Sequence, residues 1–311
     1  MVVVASAPGR CGIVGNPSDI YGGVVVSCGL PARATCRLTV TPGEPDVLPD
    51  DPTLWRAAAA RYPLSGVRVE WSTDVPRSSG LAGSTALLAA TLACVLRARR
   101  APTENAVLED PIAFSELVRD IERHEAGVVC GYQDAYMVVH GGLRRLDFGG
   151  KHPVGVGPPG RVDRIRAPGL PFLLVTTGVE RLSGSVHGPI VERWLRGDEE
   201  VRRSIDRIAD LGRLGADALQ AGDWAALGDA MNENHALVAA LGGSGDVIDE
   251  LVERCRQHGA RGAKLAGAGL GGTVVALHDD PDQLEASLRA DGFTRFLRPA
   301  EGDGLRIEGQ S

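Results

Sequence analysis

Two acidic side chains and three glycine-rich turns carry the chemistry this sequence can perform. Glu122 and Asp134 stand 12 positions apart in Glu-Arg-His-Glu-Ala-Gly-Val-Val-Cys-Gly-Tyr-Gln-Asp. The first closes a helical pattern and the second opens the next element. A hard cation such as Mg2+ prefers carboxylate and hydroxyl oxygens. Phosphoryl transfer also needs a group that orients or deprotonates the attacking hydroxyl. Two carboxylates from separate elements could divide these tasks, although carboxylates at helix ends are often simply solvated.

The turn Pro76-Arg77-Ser78-Ser79-Gly80-Leu81-Ala82-Gly83-Ser84-Thr85-Ala86 leads from a strand into a long helix. Glycine lets backbone N–H groups approach phosphate oxygens, and a following helix N-terminus adds unsatisfied donors and a positive dipole end. Ser84 and Thr85 offer hydroxyls to phosphate or metal. The same turn could serve only as a helix cap. No lysine follows the glycines, so this is not a Walker loop, and the Gly-x-Gly-x-x-Gly spacing of dinucleotide binders is missing.

A second turn, Lys264-Leu265-Ala266-Gly267-Ala268-Gly269-Leu270-Gly271-Gly272, precedes a strand and offers another backbone nest. It could also be a tightly packed loop. Near the start, Pro8-Gly9-Arg10 leads through Gly15-Asn16-Pro17-Ser18-Asp19 to Tyr21-Gly22-Gly23. Its Asn, Ser and Asp could meet sugar hydroxyls, or only make Asx turns.

These turns need elements to hold them. Val2–Ala5, Val24–Leu30, 35–40 and Val67–Trp71 read as strands, with Pro8 to Gly23 as a turn-rich connection. Thr85–Arg97 is a strong helix with arginines at its end. Ala113–His124 and Gln133–Val139 are further helices, and Leu143–Phe148 a strand. The glycine- and proline-dense stretch 149–170 predicts a linker, dividing the chain into 1–165 and 166–311. Beyond it, Phe172–Thr176, 273–277 and Thr294–Arg298 read as strands. Val186–Leu195, Val201–Gln220, Trp224–Leu237, Asp246–His258 and Pro281–Arg289 read as helices. The pattern is α+β rather than regular strand–helix alternation.

Composition narrows the partners. With 311 residues, net charge −7 and 43% hydrophobic residues, the chain is globular and carries no basic stripe for nucleic acid. Its six cysteines include no Cys-x-x-Cys pair, which argues against zinc and redox motifs. The start lacks a signal-peptide pattern and the longest apolar run, 86–96, is too short to span a bilayer. A cytoplasmic protein is expected, as monomer or homodimer.

Taken together and in this order, the three glycine segments resemble the GHMP kinase superfamily, over residues 8 to 272. Within it, Gly15-Asn16-Pro17-Ser18-Asp19, Gly131-Tyr132-Gln133-Asp134, Ser183-Gly184-Ser185-Val186-His187 with Glu192-Arg193-Trp194, and Met231-Asn232-Glu233-Asn234 are similar to the glucuronokinase type. Gly131 to Asp134 and Gly141-Gly142 resemble heptose-phosphate kinases too. The resemblance implies an N-terminal domain like ribosomal protein S5 domain 2 and a ferredoxin-like C-terminal domain. It implies ATP and Mg2+ as cofactors and a small sugar or sugar acid as substrate, with another acceptor or a non-catalytic sugar sensor as alternatives. It implies Asp134 and Arg10 as catalytic residues. Pro76, Gly80, Leu81, Ala82, Gly83, Ser84, Thr85 and Ala86 would hold the triphosphate, with Ser84 and Glu122 on the metal. Asn16, Asp19, Tyr21, Gly267, Ala268 and Gly269 would meet the acceptor, with His187 and Arg193 as candidate cations for a carboxylate. Ala266 stands where many members have serine, so a hydroxyl there is dispensable.

Overall fold

The computed structural model describes residues 1–76, 78–153, 157–179, 184–267, 269 and 271–310. Its first sheet is built on a long antiparallel hairpin of β1 (Val2–Val14) and β2 (Val24–Val40), joined through a 3-10 turn at Ser18–Tyr21. β1 therefore runs well past Ala5, through residues expected to form a turn. Its register with β2 slips between Pro8 and Arg10 and again between Gly12 and Val14. At those bulges the strand bonds elsewhere: Arg10 N–H donates to Leu81 O (3.0 Å) and Gly12 N–H to Ala266 O (2.7 Å). The turn-forming residues mark places where β1 leaves its ladder to grip the two glycine loops.

Next come α1 (Thr53–Arg61), β3 (Val67–Thr73), α2 (Gly83–Arg99), α3 (Pro102–Glu109), α4 (Pro111–His124), α5 (Gln133–His140), β4 (Leu143–Asp147) and β5 (Arg161–Arg164). α2 is apolar on nearly every side and is buried along most of its length against the first sheet, as an all-round hydrophobic helix must be. α4 is amphipathic and starts at Asp110, whose carboxylate accepts from Ile112 and Ala113 N–H. β5 falls within the stretch read as linker and pairs with β4.

β6 (Phe172–Thr176), α6 (Gly184–Leu195), α7 (Glu199–Ala221), α8 (Trp224–Ala240), α9 (Asp246–Gln257), β7 (Gly262–Leu265), β8 (Thr273–Leu277), α10 (Pro281–Ala290) and β9 (Phe296–Leu297) follow. Their strands form an antiparallel sheet in the order β7-β8-β6-β9. The final strand, β10 (Arg306–Gln310), returns to the first sheet, whose order is β10-β1-β2-β4-β5 with β3 also on β2. A shared apolar core joins the two sheets, with Ile13 and Val26 from one side meeting Phe172, Leu227 and Val275 from the other. Among the described residues no helix is long and apolar enough to cross a membrane.

One buried group ties stability to pH. His140, at the end of α5, is pushed down to about 4 by burial and by Arg144, and its Nε2 has no partner among the described residues. The unfolded imidazole titrates near 6.5. This contribution is therefore intact above 6.5 and is lost progressively as pH falls toward 4. We expect the melting temperature to drop between pH 7 and pH 5, and His140→Gln to flatten the drop. The difference between the two proteins isolates this residue from carboxyls titrating in the same range.

Candidate active site

Asp134 lies in the first turn of α5 and faces β1. Its Oδ1 accepts from Arg10 Nε (2.7 Å) and lies 2.5 Å from Arg10 Nη2. Arg10 is buried, and its Nη1 donates to Gly80 O (2.6 Å). The guanidinium thus holds both the carboxylate and the first glycine loop in place. The Asp134 side chain is 30% exposed, and its Oδ2 has no hydrogen-bond partner among the described residues. Asp19 fixes α5 from the hairpin turn, its Oδ2 accepting Tyr132 N–H (2.7 Å) and Gln133 N–H (2.9 Å). A side chain at 131 would collide with that carboxylate, which is why Gly131 precedes the helix. Burial raises the Asp19 pKa, and Asp134 adds to the rise.

Glu122 arrives from the last turn of α4 and is buried. Its Oε1 accepts from Thr85 Oγ1 at 2.7 Å. Burial first, then the charge of Asp134, raises its pKa to about 7. Thr85, rather than Ser84, meets Glu122; Ser84 is exposed one residue earlier. Ala82 precedes α2 with φ 61° and no side-chain cap. The N–H groups of Gly83, Ser84 and Thr85 accordingly have no partner among the described residues, leaving three donors and a positive dipole end at the cleft. Leu81 is buried in the core between the sheets. Pro76 accepts from Ser79 Oγ (2.6 Å) and shapes the loop's entry, and Ala86 N–H closes the first helical bond onto Ala82 O.

The donor set suits magnesium. Carboxylates of Glu122 and Asp134, a hydroxyl, and phosphate oxygens are hard ligands. The two carboxylates repel each other, which a divalent cation would offset. Among the described residues no group of three or more His, Cys, Asp or Glu gathers into a metal cage.

The second glycine loop backs onto the first. A Cβ on Gly267 would overlap the carbonyl of Gly80, and one on Gly272 would lie 2.6 Å from Ser79 O. Behind them sits Lys264, fully buried, donating to Asn16 Oδ1 (2.7 Å) and Leu265 O (2.6 Å). Burial without a carboxylate partner lowers its pKa to about 7. Asn16 in turn donates to Gly267 O (3.0 Å), so both ends of its amide are engaged within the protein. Asn234 of α8 ties the same turn, accepting from Gly15 N–H (2.8 Å) and donating to Asn16 O (3.0 Å).

The remaining candidates divide. The half-buried His187 feels Asp19, Asp134 and Arg10, and burial lowers its pKa. Tyr21 packs on Trp194 with ring centroids 5.5 Å apart, and its buried hydroxyl has no partner among the described residues. Arg193 is not brought to this cluster: its Nε bonds Asp198 (2.8 Å) and its Nη2 Glu200 (3.0 Å). It lies on the outward side of α6, where helical spacing alone did not show which way it points. Ala268 lies outside the described residues, and Gly269, with φ 125°, stands beside it. Lys264 and Asn234 were not expected at the site. A signal existed for Lys264: the chain has only two lysines, and both are buried.

The sequence and the fold both have relatives among known proteins. The model for the GHMP kinases N terminal domain matches residues 53–142, and that for GHMP kinases C terminal matches 216–292. Probable glucuronokinase 2 of Arabidopsis thaliana is 34% identical over 234 residues, covering 72% of this chain and 62% of that protein, so the match spans less than two thirds of its length. Glucuronokinase 1 of the same plant is 29% identical, covering 94% and 90%. Mevalonate kinase of Aeropyrum pernix is 30% identical over 98% of each chain. Among solved structures, galactokinase of Lactococcus lactis complexed with galactose superposes with a TM-score of 0.77 at 18% identity, over 98% of this chain and 95% of that one.

Proposed function

The chain belongs to the GHMP kinase family, and from that membership we propose that it transfers the γ-phosphoryl group of ATP to a sugar hydroxyl, the anomeric hydroxyl of a hexuronate such as D-glucuronate. One observation carries the reading: Asp134, clamped by Arg10, and Glu122, bonded to Thr85, share the cleft of an uncapped α2 N-terminus. Backbone donors of residues 83–85 would bind the phosphate oxygens, and the helix dipole would favour their charge. Ser84 would present its hydroxyl beside them.

In the reaction, the acceptor hydroxyl oxygen attacks the γ-phosphorus, its proton passes to Asp134 Oδ2, and ADP leaves in line. Arg10 keeps Oδ1 occupied, so the free oxygen faces the acceptor. Glu122, with Thr85 or Ser84, would hold magnesium, which when bound supplies charge stabilisation on the phosphates. Asp19 acts from behind by fixing the start of α5, and Lys264 and Asn16 hold the second glycine loop against the first. His187 and Tyr21 border the acceptor side.

The uronate acceptor rests on the likeness to two plant glucuronokinases and on the Asn16-Pro17-Ser18-Asp19 turn. A mevalonate-like alcohol is a second reading, supported by the end-to-end likeness to an archaeal mevalonate kinase. The test is ADP release with ATP and Mg2+ over a panel of D-glucuronate, galactose, a heptose phosphate and mevalonate. We expect D-glucuronate to give the highest kcat/KM. ADP formation no faster with any acceptor than without one would remove the kinase reading in favour of a sensor.

A further inference from the structure

Lys264 sits in β7 and is fully buried. Its neighbours Ala263 and Leu265 pack into the core against the C-terminal helices, so Lys264 projects from the opposite face of β7, toward the first sheet. There its Nζ donates to Asn16 Oδ1 (2.7 Å) and to Leu265 O (2.6 Å). Among the described residues no carboxylate pairs with it. Burying a lysine without one is costly. A methionine would fill similar space without that cost, so packing alone does not call for a lysine here.

What the lysine holds is the joint between two parts of the site. An ammonium only donates, so the oxygen of the Asn16 amide must face β7. That leaves the Asn16 NH2 to face the second glycine loop, where it donates to Gly267 O (3.0 Å). Asn234 of α8 holds the backbone of the same turn, accepting from Gly15 N–H and donating to Asn16 O. Further along the turn, Asp19 accepts from Tyr132 and Gln133 N–H, immediately before Asp134. One connected path thus runs from β7 through the hairpin turn to the start of α5. Its other branch ends at Gly267, packed against the Gly80 carbonyl of the first glycine loop.

We infer that Lys264 is a positioning residue for phosphoryl transfer: by fixing which way the Asn16 amide faces, it sets the hairpin turn, and with it Asp134, against the second glycine loop. This rests on the kinase reading above. Lys264 touches neither substrate and acts through Asn16. Without its Nζ, Asn16 Oδ1 is left buried and unpaired, and the amide is free to turn over and release Gly267.

The experiment compares full-length wild type with Lys264→Met, Lys264→Gln, Asn16→Ala and the Lys264→Met/Asn16→Ala double variant. ATP and Mg2+ are supplied with whichever of D-glucuronate and mevalonate gives the higher wild-type kcat/KM. Melting temperatures are measured first and kinetics are run well below the lowest of them, so lost stability does not enter the rates. Lys264→Met is expected to lower kcat by ~10-fold or more, with KM for ATP changing less than kcat. Lys264→Gln keeps a donor for Asn16 Oδ1 and should recover part of kcat. In the Asn16→Ala background, Lys264→Met should cost little further, because the path is already cut. Wild-type kcat in folded Lys264→Met overturns the inference and leaves the kinase reading standing. So does an equal fold-loss with and without the Asn16 side chain, or a Lys264→Gln enzyme no faster than Lys264→Met. If Lys264→Met does not fold, the same comparison of kcat with and without Asn16→Ala, made on Lys264→Gln, decides. Wild type that forms ADP no faster with either acceptor than without one overturns both.

Discussion

Asp134→Asn is expected to bind ATP as tightly as the wild type and to turn over at least ~100-fold more slowly. The amide keeps the size of the side chain and can still accept from Arg10 through its oxygen. It cannot take a proton from the acceptor hydroxyl. The nucleotide should not sense the change, because its phosphates would lie on the N–H groups of residues 83–85, one loop away. Calorimetry for ATP and single-turnover ADP formation separate the two effects. Turnover near wild type would remove Asp134 from the chemistry; weakened ATP binding would instead give it a role in holding the metal.

Gly267→Ala should be nearly as damaging by a different route. The new methyl would overlap the carbonyl of Gly80, and backbone cannot swing aside as a long side chain does. The first glycine loop must shift, carrying with it the carbonyl that receives Arg10 and the entry to α2. A displacement of about 1 Å in such a site can cost ~100-fold in rate. We expect KM for ATP to rise and kcat/KM to fall by about that factor, while the apolar core between the sheets keeps the protein folded. Kinetics within a few fold of wild type would mean that the two loops adjust independently.

The sequence and the structure agree best where one local rule decides. α2 was legible because alanine and leucine fill it without glycine, and because no other element competes for Thr85–Arg97. The places of Glu122 near the end of α4 and Asp134 at the start of α5 were legible because those helix ends were. β1 was not: Pro8, Gly9 and Gly12 read as turns, whereas they lie within the strand, whose register slips there so that the N–H groups of Arg10 and Gly12 leave for Leu81 and Ala266. Those partners lie some 70 and 250 residues away, beyond the reach of local pattern. β10 was missed for the same reason, since a short terminal segment becomes a strand only beside β1. Arg193 illustrates the limit for side chains: its position on α6 was sound, but Asp198 and Glu200 claim its charge. Lys264 belongs to a class that pattern cannot rank, a cation whose meaning lies in what surrounds it.

The grip of β1 on both glycine loops has a mechanical consequence. Successive bulges of a single strand hold Leu81 on one side and Ala266 on the other, so under the proposed binding mode the phosphate end of the cleft would behave as a fixed jaw. Admitting the acceptor and letting product go would then fall to the opposite rim, where α6 carries Trp194 over Tyr21 of the hairpin turn.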